Sequence, residues 1–299
     1  MFDYMITVLK VSLPCPGSSE GSVDRLCDLC DHLHDTLSDA DMLGRRCKRR
    51  SGILRTLFRL VDLDSAQLNL HIAKLCLALC VSGNNLLNIC KLVFQISRSE
   101  SNDVLFEKNS IIDSLLLVLN NEDAHVSGEA LLYCVGTLKF LSGNATILRL
   151  LLAKNCVGVA QELIQKLCKA TDCNMTVAGH ILVQDLVVRL LFTLGNLTAR
   201  SSEPRQQLFQ CKDCMPTLLQ LYNSYQRRNV SSNTALQKEA PSSREPAATT
   251  LADDVLVKLV RVLANMCIHP AVGPSLATNT TCIQLLMETL GEKRKMSFL

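Results

Sequence analysis

Four five-residue strings in this chain share one pattern: apolar, any, variable, apolar, small. They are Val93-Phe94-Gln95-Ile96-Ser97, Leu138-Lys139-Phe140-Leu141-Ser142, Leu194-Gly195-Asn196-Leu197-Thr198 and Leu263-Ala264-Asn265-Met266-Cys267. Their first residues lie 45, 56 and 69 positions apart. The last interval contains Arg227 to Thr250, a Ser-, Asn-, Pro- and Ala-rich run of 24 residues that reads as a disordered insertion. Without it the interval returns to 45, and the 56-residue interval carries extra chain around Lys169 to Thr176. Each string closes a long helical pattern. A chain with this period stacks small helical units, because one unit alone cannot bury its apolar face.

The unit is clearest from Val104 to Ser142. A short apolar helix ends at Lys108-Asn109, and a second, Ile111 to Leu119, is nearly continuous Leu and Ile. The turn Asn120-Asn121-Glu122-Asp123 then leads into a long helix ending at Leu141-Ser142. The middle helix returns as Val157 to Leu167, Met215 to Leu221 and Ile283 to Leu290. Cys214 to Leu219 aligns with Cys282 to Met287 at a constant offset. Pro216 is tolerated in a helical first turn, where its missing N–H costs nothing. Ile53 to Val61 has helical spacing, Asp64-Ser65 caps a helix running from Leu68 to Ser82-Gly83, and another spans Leu86 to Ser97. No strand signal interrupts these, so the class is all-α.

Composition supports this. Aromatics are 4% of a chain that is 48% hydrophobic, so the core must be largely Leu, Ile, Val and Ala. A net charge of +3 gives no general case for nucleic acid or a membrane surface. No uncharged apolar run reaches the roughly 18–20 residues of a membrane span, and Met1 to Leu13 makes a poor signal peptide. The 15 cysteines are scattered through apolar helical runs (Cys76, Cys80, Cys90, Cys134, Cys168, Cys267). They read as small buried hydrophobes in a reducing compartment, which points to a cytoplasmic protein.

Short helix, middle helix and long helix ending in apolar-x-Asn-apolar resemble the armadillo repeat. The resemblance covers residues 51–291 and implies a right-handed α-solenoid. It leaves 1–50 as an irregular N-terminal segment, 227–250 as a disordered insertion and 292–299 as a C-terminal tail. Within 1–50, six aspartates from Asp24 to Asp41 precede the basic run Arg45 to Arg50, a charge dipole that fits a capping helix and its solvated end. The strings Met42 to Leu63 and Leu77 to Asp103 are similar to a member of this family that serves the axoneme of cilia and flagella. That similarity implies a non-enzymatic assembly factor for motile cilia and sperm flagella, and a chain that is part of a longer protein. Its partners would be axonemal radial-spoke or intraflagellar-transport components, its location the ciliary or flagellar axoneme.

The same resemblance implies a groove lined by the long helices, in which successive Asn side chains hydrogen-bond the backbone of an extended peptide. Asn196 and Asn265 match that position, Gln95 partly imitates it, and Phe140 breaks the ladder. Lys91, Arg189 and Arg261 lie near the same face and would favour an acidic peptide; the competing readings are an internal hydrogen bond for each Asn and a solvated surface for each cation. The one metal-like cluster is Cys27-x-x-Cys30-x-His32-x-His34, with Cys211-x-x-Cys214 as a second pair. Four ligands so close along a helix would strain a tetrahedral site, and no metal or other cofactor is expected. A zinc-dependent regulatory module and a general or nuclear-import-like peptide adaptor are the alternatives. There is no GxGxxG, Walker A, HExxH or GxSxG, and His180 and Asp185 are misplaced for an acid–base pair. His71 and His125 stand without partners in the sequence. The reading is a binding scaffold without catalysis.

Overall fold

The structure is a computed structural model that describes residues 20–61, 64–170, 176–236 and 246–296. Among these residues it is all helical, with short 3-10 turns and no strand. The chain divides into two compact units, Met1–Leu150 and Leu151–Leu299.

In the first unit, α1 (Glu20–Asp39) precedes α2 (Arg50–Leu60), α3 (Ala66–Ala78) and α4 (Gly83–Ser97). A second triplet follows as α5 (Asp103–Lys108), α6 (Ile111–Asn121) and α7 (Ala124–Leu141). The middle helices α3 and α6 pack together, and so do the long helices α4 and α7. Leu26, Cys30, Leu33 and Leu37 recur on one face of α1 and are buried, with α1 packed on α3. The polar side of that contact is specific. Asp31 accepts from His71 at 2.9 Å and lies 3.7 Å from Lys74, so His71 does have a partner, one that lies 40 residues away in sequence. Much of the front of the array is therefore helical, with an acidic exposed side at Asp24, Asp28 and Asp35.

Helix ends follow from local chemistry. Ser65 caps α3 by accepting from the Leu68 N–H at 3.3 Å, as its place before the apolar run predicts. At the other end of α3, Cys80 takes a positive φ of 53°, and the Arg50 guanidinium donates to the Leu79 and Cys80 carbonyls. A cation at a helix C-terminus meets the negative end of the helix dipole. Arg46 pairs with Asp41, so part of the basic run is neutralised locally. Of the six cysteines named as core, Cys76, Cys90 and Cys134 are buried and Cys168 is half-buried, while Cys80, just past the end of α3, and Cys267, the last residue of its helix, are exposed.

The second unit continues the pattern. The short α8 (Ala145–Ala153) runs across the division and is followed by α9 (Cys156–Ala170) and α10 (Val177–Arg200). Next come α11 (Ser202–Gln210), α12 (Cys214–Leu236) and α13 (Pro246–Cys267), then α14 (Val272–Ala277) and α15 (Thr280–Met296). Middle helices α9, α12 and α15 pack in series, and long helices α10 and α13 pack lengthwise. Within the expected insertion, helix continues to Leu236 and resumes at Pro246, while 237–245 lie outside the described residues. The apolar start Met1 to Leu13, residues 171–175 of the other expected insertion and the end of the 292–299 tail also lie outside them.

By length and composition alone, α10 is apolar enough to cross a membrane, a point missed by counting only uncharged residues. Here it packs against α9 and α13 and carries the Asp185–Arg189 ion pair. At the offset that aligns α12 with α15, Met215, Leu219 and Tyr222 correspond to Ile283, Met287 and Leu290. Leu219 is 7% exposed and Tyr222 0%, whereas Met287 is 64% and Leu290 63% exposed. The stripe that α15 leaves open is thus the one that α12, packed on α13 and α15, largely buries.

Candidate functional site

Helix α10 starts where Thr176 accepts from the Gly179 N–H at 3.2 Å. It ends where the buried Arg205 of α11 reaches back to the Thr198 carbonyl at 2.7 Å and the Ala199 carbonyl at 2.8 Å. Both of these carbonyls belong to the last helical turn, which has no intrahelical donors left. The end of α10 is fixed in place, and α13 is laid along it.

On the seam between these two helices the Asn265 amide donates to the Gly195 carbonyl at 2.9 Å and to Thr198 Oγ1 at 3.1 Å. Thr198 Oγ1 in turn donates to the Leu194 carbonyl at 2.7 Å. Both amide hydrogens of Asn265 are therefore used inside the fold. Asn196 Oδ1 accepts from the Arg261 guanidinium at 2.9 Å. Arg261 lies over the Phe192 ring at 5.4 Å from its centroid, and Lys258 Nζ lies over the same ring at 5.5 Å. A Cβ at Gly195 would stand 3.3 Å from Arg261 Cδ and Nε, so glycine at this position lets the guanidinium lie close to α10. Arg189, three residues before Phe192, is held by Asp185 through two contacts of 3.1 and 3.2 Å. That pairing also removes Asp185 from any role with His180.

Of the residues expected to form a site, Asn196, Asn265 and Arg261 come together, with Arg189 about two helical turns before Asn196 on α10. Phe192, Gly195, Thr198 and Lys258 complete the cluster. Phe192 precedes Asn196 by four residues and Lys258 precedes Arg261 by three, so each shares a helix face with a residue that stands out in the sequence.

Lys91 and Gln95 belong to the first unit, where they sit on α4. Gln95 is exposed, and Lys91 Nζ lies 5.5 Å from the Tyr133 ring centroid. Phe94 packs edge-on to Tyr133 at 5.3 Å and tilted against Phe140 at 5.6 Å. Phe140 is 42% exposed, with Lys139 Nζ 5.8 Å from its ring. Where the second unit has an Asn, the first has an aromatic cluster with lysines on its rings.

The cysteine and histidine cluster of α1 does not converge. Cys27 and Cys30 are buried, His32 is exposed, and His34 lies 3.1 Å from Asp35. Burial, reinforced by Asp24, Asp31 and Asp28, pushes the Cys27 thiol up to about 12. Burial, with the neighbouring Cys27 and Asp31, does the same for Cys30. Cys214 is also held at about 12, by burial and then by Cys211. A thiolate ligand is therefore costly to form at each position. Among the described residues, no three His, Cys, Asp or Glu side chains are grouped so as to hold a metal ion.

No family model matches the chain. It is similar to proteins named Armadillo repeat-containing protein 2. That of Bos taurus is 36% identical over 92% of this chain, that of Mus musculus 34% over 92%, and that of Homo sapiens 33% over 92%. The chain spans 41%, 42% and 41% of the length of these relatives, respectively. Among solved structures, the crystal structure of SYS-1 superposes with a TM-score of 0.52 over 87% of this chain and 42% of that one. At 16% identity that likeness is one of fold.

Proposed function

The chain belongs to the armadillo-repeat family, and from that premise we propose that it is a non-enzymatic scaffold that binds protein segments on its long helices. The observation that carries this is the α10–α13 seam, where Phe192, Asn196, Lys258, Arg261 and Asn265 meet on a partly exposed surface. The α4–α7 seam, with Lys91, Gln95 and its aromatic cluster, is the corresponding surface of the first unit. Neither seam offers an acid, base and nucleophile in mutual reach, and both offer hydrogen-bonding and cationic side chains on fixed helices. Rigid helices that display such groups suit recognition by shape and charge.

The finer reading is assembly of the motile cilium or sperm flagellum axoneme, through radial-spoke or intraflagellar-transport components. It is supported by the likeness to Armadillo repeat-containing protein 2 over most of the chain. The test is capture of partners from ciliated cells or testis by the native chain, by Asn196→Ala/Asn265→Ala, and by Lys91→Ala/Gln95→Ala. Axonemal or transport proteins held by the native chain and lost from a variant that is still folded at the capture temperature support the reading. Their absence from the native capture removes the ciliary assignment. Their retention by both variants moves binding off the long helices.

A further inference from the structure

We infer that Cys211 and Cys214 form an oxidisable dithiol, a site at which a small soluble disulfide is reduced and an internal Cys211–Cys214 disulfide is made. In the sequence the pair is a C-x-x-C like Cys27 and Cys30, but in the fold it bridges two helices. Cys211 follows the last residue of α11, and Cys214 is the first of α12. The Cys214 N–H donates to the Cys211 carbonyl at 3.2 Å. A turn closed by such a bond holds its first and last Cα within about 7 Å. A disulfide spans about 4.4–6.8 Å between Cα atoms, so the backbone already meets its requirement.

The turn is fixed from both sides. Asp213 takes a φ of 57°, and its carbonyl accepts from the Thr217 N–H at 3.0 Å and from Thr217 Oγ1 at 2.7 Å. From α9, Gln165 donates to the Lys212 carbonyl at 2.7 Å and Gln161 to the same oxygen at 3.4 Å. A thiol held in this way stands at a high effective concentration beside its neighbour.

Access separates this pair from the other close thiols. Cys27 and Cys30 are buried within α1, and Cys90 and Cys134, 3.4 Å apart, are buried between α4 and α7. Cys211 is half-buried and Cys214 buried, and both line a cavity of about 390 Å³ with Phe209, Met215 and Leu276. Small-molecule sites span roughly 300–1,000 Å³, so one arm of a small disulfide has a seat beside Cys211.

The exchange balances. Cys211 loses its proton to solvent, and its thiolate attacks one sulfur of the disulfide RSSR. That S–S bond breaks, and RS⁻ leaves with the electron pair. Cys214 then gives up its proton and attacks Cys211 Sγ, expelling the second RS⁻. The two leaving thiolates take up the two protons, and two electrons pass from the protein to the small disulfide. Burial, then the Glu162 charge, pushes the Cys211 thiol up, and burial, then Cys211, holds Cys214 at about 12. Exchange at neutral pH is therefore slow. The reduced pair gains no thiolate stabilisation, however, which favours the disulfide once it has formed.

The test is incubation of the full chain with oxidised glutathione as the probe, followed by mass mapping of unreduced peptides. The native chain should give a species that joins Cys211 to Cys214, lacks two hydrogens and is restored by dithiothreitol. Its rate of formation should rise about tenfold from pH 7 to pH 8, as the thiolate fraction does. Cys214→Ala should stop at a glutathione adduct on Cys211, and Cys211→Ala should leave Cys214 unmodified. A glutathione adduct that persists on Cys211 of the native chain would overturn the inference. An unreacted Cys211 when the exposed Cys80 is fully labelled would do the same. Both of those outcomes are read on the native chain, so they hold even if Cys214→Ala fails to fold.

Discussion

The Asn265 side chain donates to the backbone carbonyl of Gly195 at 2.9 Å, tying α13 to the middle of the last two turns of α10. A helical carbonyl already accepts from its own helix, so this second bond is a tertiary staple. With Thr198 Oγ1 it uses both hydrogens of the amide. Asn265 therefore positions the seam on which Arg261 and Asn196 are displayed. Asn265→Ala should cost about 1–3 kcal/mol, because Thr198 and Gly195 lose a donor in a partly buried site. Asn196→Ala, whose loss leaves Arg261 still stacked on Phe192, should cost less. Urea unfolding of the two variants checks the order.

Gly273 has no room for any other side chain. A Cβ there would lie 2.5 Å from the Cys267 carbonyl oxygen, a backbone atom at the end of α13 that cannot swing aside. The Gly273 N–H also donates to the His269 carbonyl at 2.8 Å, which fixes the turn into α14. Alanine would gain about 1 kcal/mol of helix propensity. The overlap should outweigh that gain, for a net loss of about 1–3 kcal/mol. Thermal melting of Gly273→Ala reads the sign directly: an unchanged or raised melting temperature contradicts the packing described here.

The buried thiols make stability fall at alkaline pH. Burial lifts Cys156 from 9.0 to about 12, and Cys30 and Cys214 are lifted similarly. The folded state then holds these protons more tightly than the unfolded chain does. Their contribution is full below about pH 9 and is lost as pH rises toward about 12. Melting temperature should decline through that window, and Cys156→Val should flatten the decline. At neutral pH the exposed Cys80 and Cys267 should take up a thiol reagent first, while the buried cysteines react only after unfolding.

Reading the sequence recovered the helices because apolar spacing repeats with the fold. The short helix ending at Lys108 and the long helix ending at Leu141 stand where the pattern placed them. Middle helices were read short: Met215 to Leu221 continues to Leu236, since its polar later turns carry little apolar signal. The site was half legible. Asn196, Asn265 and Arg261 break the apolar pattern of their helices and so stand out in the sequence. Phe192 and Lys258 look ordinary until α10 and α13 are laid together, and the role of Gly195 depends on the neighbouring helix. The His71–Asp31 bond spans 40 residues, a separation that local pattern cannot bridge.

Ile283, Met287 and Leu290 form an exposed apolar stripe on α15, and the α12 counterparts of the last two, Leu219 and Tyr222, are buried. Such a stripe binds hydrophobic dye and promotes association. Met287→Glu and Leu290→Glu should leave melting within about 0.5 kcal/mol of the native chain, because neither side chain is buried. Dye fluorescence and light-scattering signal should both drop. A large loss of stability would mean that the stripe is covered in solution.

The most direct test of the account is site-specific photocrosslinking from the long-helix seam. A benzophenone amino acid replaces Phe192, with a control replacing Asp28 on the exposed face of α1, in lysate from ciliated cells. The account predicts a discrete crosslinked protein from position 192 that is absent from position 28. No product at position 192, or the same products from both positions, would contradict binding on the α10–α13 seam.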